Sequence, residues 1–245
     1  ALVAVTWVSN VLGTVNPVGE ITMMSHAAGA MTVLDGAQAM KLPEIDVTAV
    51  DCDFLAFSGH KLGALTGIGV LYGKNNILSQ LPPVRFGGGM IRESQYSASS
   101  YGGVPQRFEA GTPNYVGAIS LGCAMEYLQS VGRIELAQQE QILTDLLRKE
   151  LAAIPEVTVI GTPNRRCGVV SFVVPGIHPF DLGAMLDSQG IAVRTGHLCA
   201  QPLVNQLGYD SVIRVSPAFY NTEQECLELI SALKRTIPLL KGEWT

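Results

Sequence analysis

Short apolar runs alternate with helix-like segments through the first third of the chain, and this alternation limits the fold more than any other feature. Residues 2–8, 32–34, 54–57 and 69–72 read as strands, and residues 19–28 read as a helix between the first two. Parallel strands need crossover connections, so the order predicts an α/β fold with a mostly parallel sheet and helices on its faces. Ligands of such sheets gather just beyond the carboxyl ends of strands. Asn10, Asp35, Ser58, His60 and Lys61 all follow predicted strands at that end. Lys61 needs a reason to be there, because burying an ammonium is costly without a compensating partner. Its surroundings, Ser58-Gly59-His60-Lys61-Leu62-Gly63, lack the glycine spacing of a phosphate-binding P-loop.

The pattern then changes. Residues 86–113 are rich in Gly, Ser and Pro and read as a long functional or mobile loop. Asn114 is placed to cap a helix that runs to Leu128, with Gly132 as its stop. Residues 134–151 form a second amphipathic helix, with Leu136, Ile142, Leu146 and Leu147 on its apolar side. Beyond it, strands at 157–160, 169–174, 191–193 and 212–215 are interspersed with helices at 179–188 and 223–239, the last capped by Thr222. The expected organisation is a large domain over residues 1–130 and a smaller α+β domain over 131–245 that carries a cysteine loop. Residues 1–8 read as a buried strand without an initiator methionine, which suggests a missing N-terminal portion.

Composition excludes several classes of function. A net charge of -5 and no basic run argue against nucleic acid or an anionic membrane as partner. No apolar stretch approaches the roughly 20 residues of a membrane span. The five cysteines are odd in number and show no CxxC pair, which favours reduced thiols in the cytoplasm or an organellar stroma or matrix. Cys52, Cys123 and Cys226 read as small buried hydrophobes. Cys167 stands among Arg165, Arg166 and Gly168 and reads as more exposed. Cys199 differs from these, because it follows a strand on a glycine-containing loop beside Arg194 and His197. Positive neighbours of that kind favour the nucleophilic thiolate. His197-x-Cys199 has no second ligand pair to make a metal site. An acid and a lysine on neighbouring strand ends, with hydroxyl and imidazole donors beside the lysine, suit pyridoxal 5'-phosphate: the amine can form a Schiff base while the carboxylate keeps the pyridine nitrogen protonated.

Six stretches carry a resemblance to a known family: VSNVLG at 8–13, DGAQA at 35–39, DCDFLAFSGHKL at 51–62, TGIGVLYGK at 66–74, FEAGTPN at 108–114 and RTGHLCAQPL at 194–203. The sequence resembles the class V aminotransferase-like pyridoxal phosphate enzymes, and within them the SufS/CsdA-type (group II) cysteine desulfurases. The resemblance runs nearly end to end but begins well inside the family's usual sequence. It implies the fold type I (aspartate aminotransferase-like) transferase architecture, N-terminally incomplete.

The resemblance also implies roles. Lys61 would hold the cofactor and move protons, Asp35 would pair with the pyridine nitrogen, and Gln38 would bond the phenolic oxygen. Ser58 and His60 would bind the phosphate, joined by Thr112 from a second subunit, which implies a homodimer with shared sites. Asn10 and Arg214 would hold the substrate carboxylate with Arg194 as helper, and Cys199, beside His197, would take sulfur from L-cysteine. A sulfur-acceptor protein of SufE/SufU type and iron–sulfur cluster assembly would follow. Selenocysteine lyase, another class V enzyme, and an inactive dimerisation or binding module are the rival readings. One departure concerns the lysine: the family's Tyr-Gly-Pro is replaced by Gly63-Ala64-Leu65, so a looser lysine loop is expected.

Overall fold

A computed structural model describes residues 1–161 and 164–242. It divides the chain into two compact units. The first comprises residues 1–6, 17–40 and 46–130; the second comprises 7–16, 41–45 and 131–245.

The first unit is built on a four-stranded sheet of β1 (Leu2–Thr6), β2 (Met31–Asp35), β3 (Phe54–Ser58) and β4 (Gly69–Gly73), in that spatial order. Helix α1 (Val18–Ala27) connects β1 to β2, and the single turn α2 (Val47–Val50) precedes β3. Strands β1, β2 and β3 are parallel, as the alternation predicts. Strand β4 runs antiparallel to β3, with Phe57 opposite Val70. Only about ten residues separate the two strands, too few for a crossover helix, so a reversal is the connection that fits. On β2, Thr32 and Leu34 are buried while Met31 and Asp35 are exposed, the period of two that fixes which face meets the core.

After α3 (Asn75–Leu78) the chain reaches the stretch expected to be a loop. It contains instead a hairpin of β5 (Ile91–Ser94) and β6 (Ser99–Tyr101), closed by the Gln95 amide donating to the Ala98 carbonyl at 2.8 Å. Tyr101 faces Phe86 with ring centroids 5.5 Å apart, so a few aromatic side chains anchor an otherwise polar hairpin. Helix α4 (Tyr115–Val131) ends the unit. It buries Gly117 and Leu121 but exposes Tyr115, Val116, Ile119 and Cys123, the last contrary to its reading as a buried hydrophobe.

The second unit begins with α5 (Arg133–Ala152). Its sheet holds β7 (Thr158–Val159), β8 (Val170–Val173), β9 (Arg194–Gly196) and β10 (Val212–Val215) in the order β7-β8-β10-β9, all antiparallel. Helices α6 (Pro179–Asp187), α7 (Gln201–Gln206) and α8 (Glu223–Lys241) complete it. Leu143, Leu147 and Leu151 of α5 pack with Phe172 of β8 and with Leu229 and Leu233 of α8. The α5 face is therefore turned slightly from the expected one, leaving Ile142 52% exposed. The expected strand at 191–193 is also displaced. Ile191 and Val193 pack against the core from a loop, and the ladder with β10 begins at Arg194. Helix α8 starts with a capping box: the Thr222 hydroxyl accepts from the Glu225 amide, and the Glu225 carboxylate accepts from the Thr222 amide at 2.7 Å. Among the described residues no helix is long and apolar enough to cross a membrane.

A buried carboxylate ties the first unit's sheet together at the amino ends of β2 and β3. Asp53, only 4% exposed, accepts from the Thr32 amide at 2.7 Å, pairs with His26 Nε2 at 2.9 Å and lies 3.3 Å from Lys74 Nζ. Burial would raise its pKa, but the Thr32 amide, His26 and Lys74 together hold it below the ordinary 3.8. A depressed carboxyl stabilises the fold at pH values above its unfolded pKa, and that stabilisation is lost as pH falls through the folded value. Asp53→Ala is expected to cost about 3 kcal/mol at neutral pH, because it leaves buried partners unpaired. It should also flatten the fall in stability below about pH 4. Urea unfolding of both proteins across pH 3 to 7 checks each expectation.

Candidate active site

At the opposite ends of the same strands the chain collects its reactive groups. Asp35 closes β2 and lies opposite Ala56 in the parallel register, and Ser58 ends β3 two residues further on. The next residues form a short 3-10 turn, Gly59–Leu62, that carries His60 and Lys61. Asp35, Ser58, His60 and Lys61 thus stand at or just past the carboxyl ends of two neighbouring strands of one sheet. Asp35 is exposed and accepts from the Ala37 amide at 2.9 Å, which turns the chain toward Gln38. Ser58 Oγ and His60 Nδ1 share a hydrogen bond of 2.7 Å. The backbone is drawn tight at this edge: a Cβ on Gly36 would lie 2.7 Å from the Leu55 side chain, and one on Gly59 2.7 Å from the Ile68 side chain.

The lysine loop, expected to be loose, is held from several sides. The Gly59 amide donates to the Ile68 carbonyl at 2.9 Å, and Gly63 takes the left-handed conformation that ends the 3-10 turn. Helix α4 supplies the rest. Ser120 Oγ accepts from the Leu65 amide at 2.9 Å, and Asn114 Nδ2 donates to the Gly67 carbonyl at 3.1 Å. Asn114 also accepts from the Gly117 amide at 3.0 Å, the helix cap expected from sequence. Gly117 has no room for a side chain under it, since a Cβ there would lie 2.5 Å from Asn114 Nδ2. Thr112 is exposed on the segment leading into this cap, and the Gly111 amide donates to the Gly88 carbonyl at 2.8 Å.

The second unit gathers the other candidates. Arg194 on β9 is directly opposite Arg214 on β10. Arg214 Nη1 donates to the Asn10 carbonyl at 3.0 Å, and its Nε donates to Ser216 Oγ at 2.9 Å. Burial and then the neighbouring Arg194 charge lower the Arg214 pKa, with Cys199 acting in the opposite sense. It keeps its charge, since arginine does not deprotonate in proteins. Cys199 is exposed in a turn just after β9, with His197 at the start of that turn. Cys167 offers no rival nucleophile: burial first, then Glu140, pushes its thiol up to about 11.

The aminotransferase class-V family matches residues 1–229. A cysteine desulfurase of Dickeya dadantii is 47% identical over 240 residues, covering 98% of this chain and 58% of that protein. A cysteine desulfurase of Cronobacter sakazakii is 46% identical, with 59% of its length covered. Among solved structures, the cysteine desulfurase CsdA of Escherichia coli superposes with a TM-score of 0.93 at 36% identity, over 98% of this chain and 59% of that one. An apo cysteine desulfurase from Thermococcus onnurineus NA1 gives 0.93 at 38% identity, over 98% and 60%.

The chain belongs to the class-V aminotransferase family. It spans about three-fifths of the length of the curated relatives it matches. Class-V aminotransferases use pyridoxal phosphate, and the residues present suit that group. A carboxylate, a hydroxyl–imidazole pair and a primary amine stand at or just past the carboxyl ends of two paired strands, the kind of groups such a cofactor needs.

Two contacts were not legible in the sequence: within the first unit, the second role of Asn114 as a bridge to Gly67, and within the second, the hydrogen bond from Asn10 to the Leu198 carbonyl. Both are side chain to backbone contacts between segments far apart in sequence, and no local signal marks them. Asn114→Ala is expected to cost about 1 kcal/mol through the lost cap. It should also raise hydrogen exchange selectively in residues 65–69 and the first turn of α4, as read by mass spectrometry.

Proposed function

We propose that this chain is the greater part of a pyridoxal phosphate-dependent cysteine desulfurase that converts L-cysteine to L-alanine and leaves a persulfide on Cys199. The observation that carries the reading is the shared edge of Asp35 and Lys61, in a chain whose relatives at 46–47% identity are cysteine desulfurases. When bound, the cofactor supplies an electron sink for negative charge developing on the substrate's carbon framework. The protein's residues do the remainder. Lys61 Nζ holds the cofactor covalently and carries the proton taken from the substrate α-carbon. The Asp35 carboxylate keeps the ring nitrogen protonated, and the Gln38 amide bonds the phenolic oxygen. Ser58 and His60 hold the phosphate with Thr112 of a second copy, so the working form is a homodimer. Arg214, whose side chain has N–H groups beyond the two engaged here, binds the substrate carboxylate with Asn10 and Arg194.

Sulfur transfer balances without an added oxidant. The Cys199 thiolate attacks the substrate sulfur, an S–S bond forms, and the Cβ–S bond breaks with its electron pair remaining on carbon. That carbon takes a proton to give the methyl group of alanine, so it is reduced as the two sulfurs are oxidised. His197 stands two residues from the thiol as a proton-carrying neighbour. The exposed position of Cys199 suits onward delivery to a sulfur-acceptor protein of SufE/SufU type for iron–sulfur cluster assembly in the cytoplasm.

Two measurements test the reading. Borohydride reduction of the cofactor-treated chain should place a pyridoxyl group on the peptide containing Lys61, and none should appear in Lys61→Ala. Label on another lysine, or none at saturating cofactor, would overturn the proposal in favour of an inactive binding module. In the complete protein, Cys199→Ala should abolish persulfide and alanine formation, and Lys61→Ala should slow turnover by at least about 100-fold. Full activity in Cys199→Ala would point to an aminotransferase. Turnover confined to L-selenocysteine would point to a selenocysteine lyase.

A further inference from the structure

Leu198 and Cys199 are consecutive residues with φ of 55° and 61°, and neither is glycine. The Ala200 amide donates to the His197 carbonyl at 2.9 Å, which closes a four-residue turn around them. Positive φ at both central positions with that closing bond is the signature of a type I′ turn. Asn-Gly adopts this shape readily; a leucine followed by a cysteine does not, because each β-carbon crowds its own backbone. A backbone in such a region persists only where its surroundings over-determine it.

The surroundings here do so from two directions. The Leu198 side chain is buried and packs in an apolar cluster with Val11, Val173, Val204 and Val212. Its carbonyl accepts a hydrogen bond from Asn10 Nδ2. Asn10 is itself fixed: Arg214 Nη1 donates to its carbonyl, and it lies in a tight turn whose Gly13 amide donates to the Ser9 carbonyl at 3.0 Å. The next residue, Val11, accepts from Ser171 Oγ at 2.6 Å on the neighbouring strand. The only member of the turn's strained pair left exposed is Cys199.

We infer that Asn10 and Leu198 are positioning residues that hold the His197–Ala200 turn in its left-handed form and so fix where the Cys199 thiol stands. The inference rests on the reading of Cys199 as the sulfur-accepting thiol and deepens it. The thiol is presented by a clamped turn, and Asn10 acts on the cysteine through Leu198 in addition to any contact with substrate. A residue that served only the substrate carboxylate would not affect the turn of the substrate-free protein.

The test needs neither cofactor nor substrate, so it fails or succeeds independently of the desulfurase reading. Hydrogen exchange at the Ala200 amide and alkylation of Cys199 by iodoacetamide, read by peptide mass spectrometry, are compared in Asn10→Ala, Leu198→Ala and Leu198→Met; alanine removes the buried anchor but keeps the β-carbon that disfavours positive φ. The first two should raise Ala200 exchange at least tenfold and change Cys199 alkylation at least threefold. Amides of β10 and alkylation of Cys123, which is also exposed, should stay at parent values. Leu198→Met, which keeps an apolar anchor of similar size, should stay within twofold of the parent. Parent-like exchange at Ala200 in either Asn10→Ala or Leu198→Ala would overturn the inference. So would an increase spread equally over β10, which marks general loosening.

Discussion

The pairing of β2 with β3 is the constraint on which the first unit depends. Leu34 opposite Leu55 buries one face of the pair, and a slip of one residue would turn that face to solvent. The register is secured at the amino ends by Asp53, which accepts from the Thr32 amide across the strand boundary and pairs with His26 and Lys74. At the carboxyl ends the Gly36 amide donates to the Ala56 carbonyl at 2.8 Å. Chemistry follows from that alignment. Only with this register do a carboxylate at the end of one strand and an amine in the turn after the next belong to the same edge. Stability is thus concentrated at one end of the strands and reactive groups at the other, the usual division in parallel sheets.

The second unit solves a different problem with an antiparallel ladder. Its strands set two guanidinium groups opposite each other and then throw a strained turn that exposes a thiol. Two neighbouring cations repel, and Arg214 is kept in place by the Asn10 carbonyl and the Ser216 hydroxyl. An exposed thiol set by a buried neighbour combines access with a fixed location, which a flexible loop would not provide.

Much of this was legible in the sequence, for physical reasons that differ between elements. The parallel strands β1 to β3 showed as apolar runs, and Asp35 and Lys61 showed as charges where such runs end. Thr222 and Asn114 showed as caps because capping is a local interaction. The direction of β4 was not legible, since an apolar run looks alike in either orientation. The hairpin at 91–101 was hidden by its serines and by having only a few aromatic anchors. Strand β9 fell three residues later than its apolar signal, because Ile191 and Val193 are used for packing while Arg194 takes the ladder. The clamp at Asp53 and the turn at Leu198 were unreadable for a common cause. Each is imposed by partners remote in sequence, and leucine and cysteine carry no preference of their own for left-handed backbone.

The central claim is that the carboxylate ending β2 and the amine following β3 serve one bound ring. Nitrogen-15 magnetic resonance of the chain loaded with pyridoxal phosphate labelled at its ring nitrogen tests this most directly. The account predicts a protonated ring nitrogen in the parent and an unprotonated one in Asp35→Asn, whose neutral amide cannot stabilise a pyridinium. The same protonation state in both proteins would contradict it.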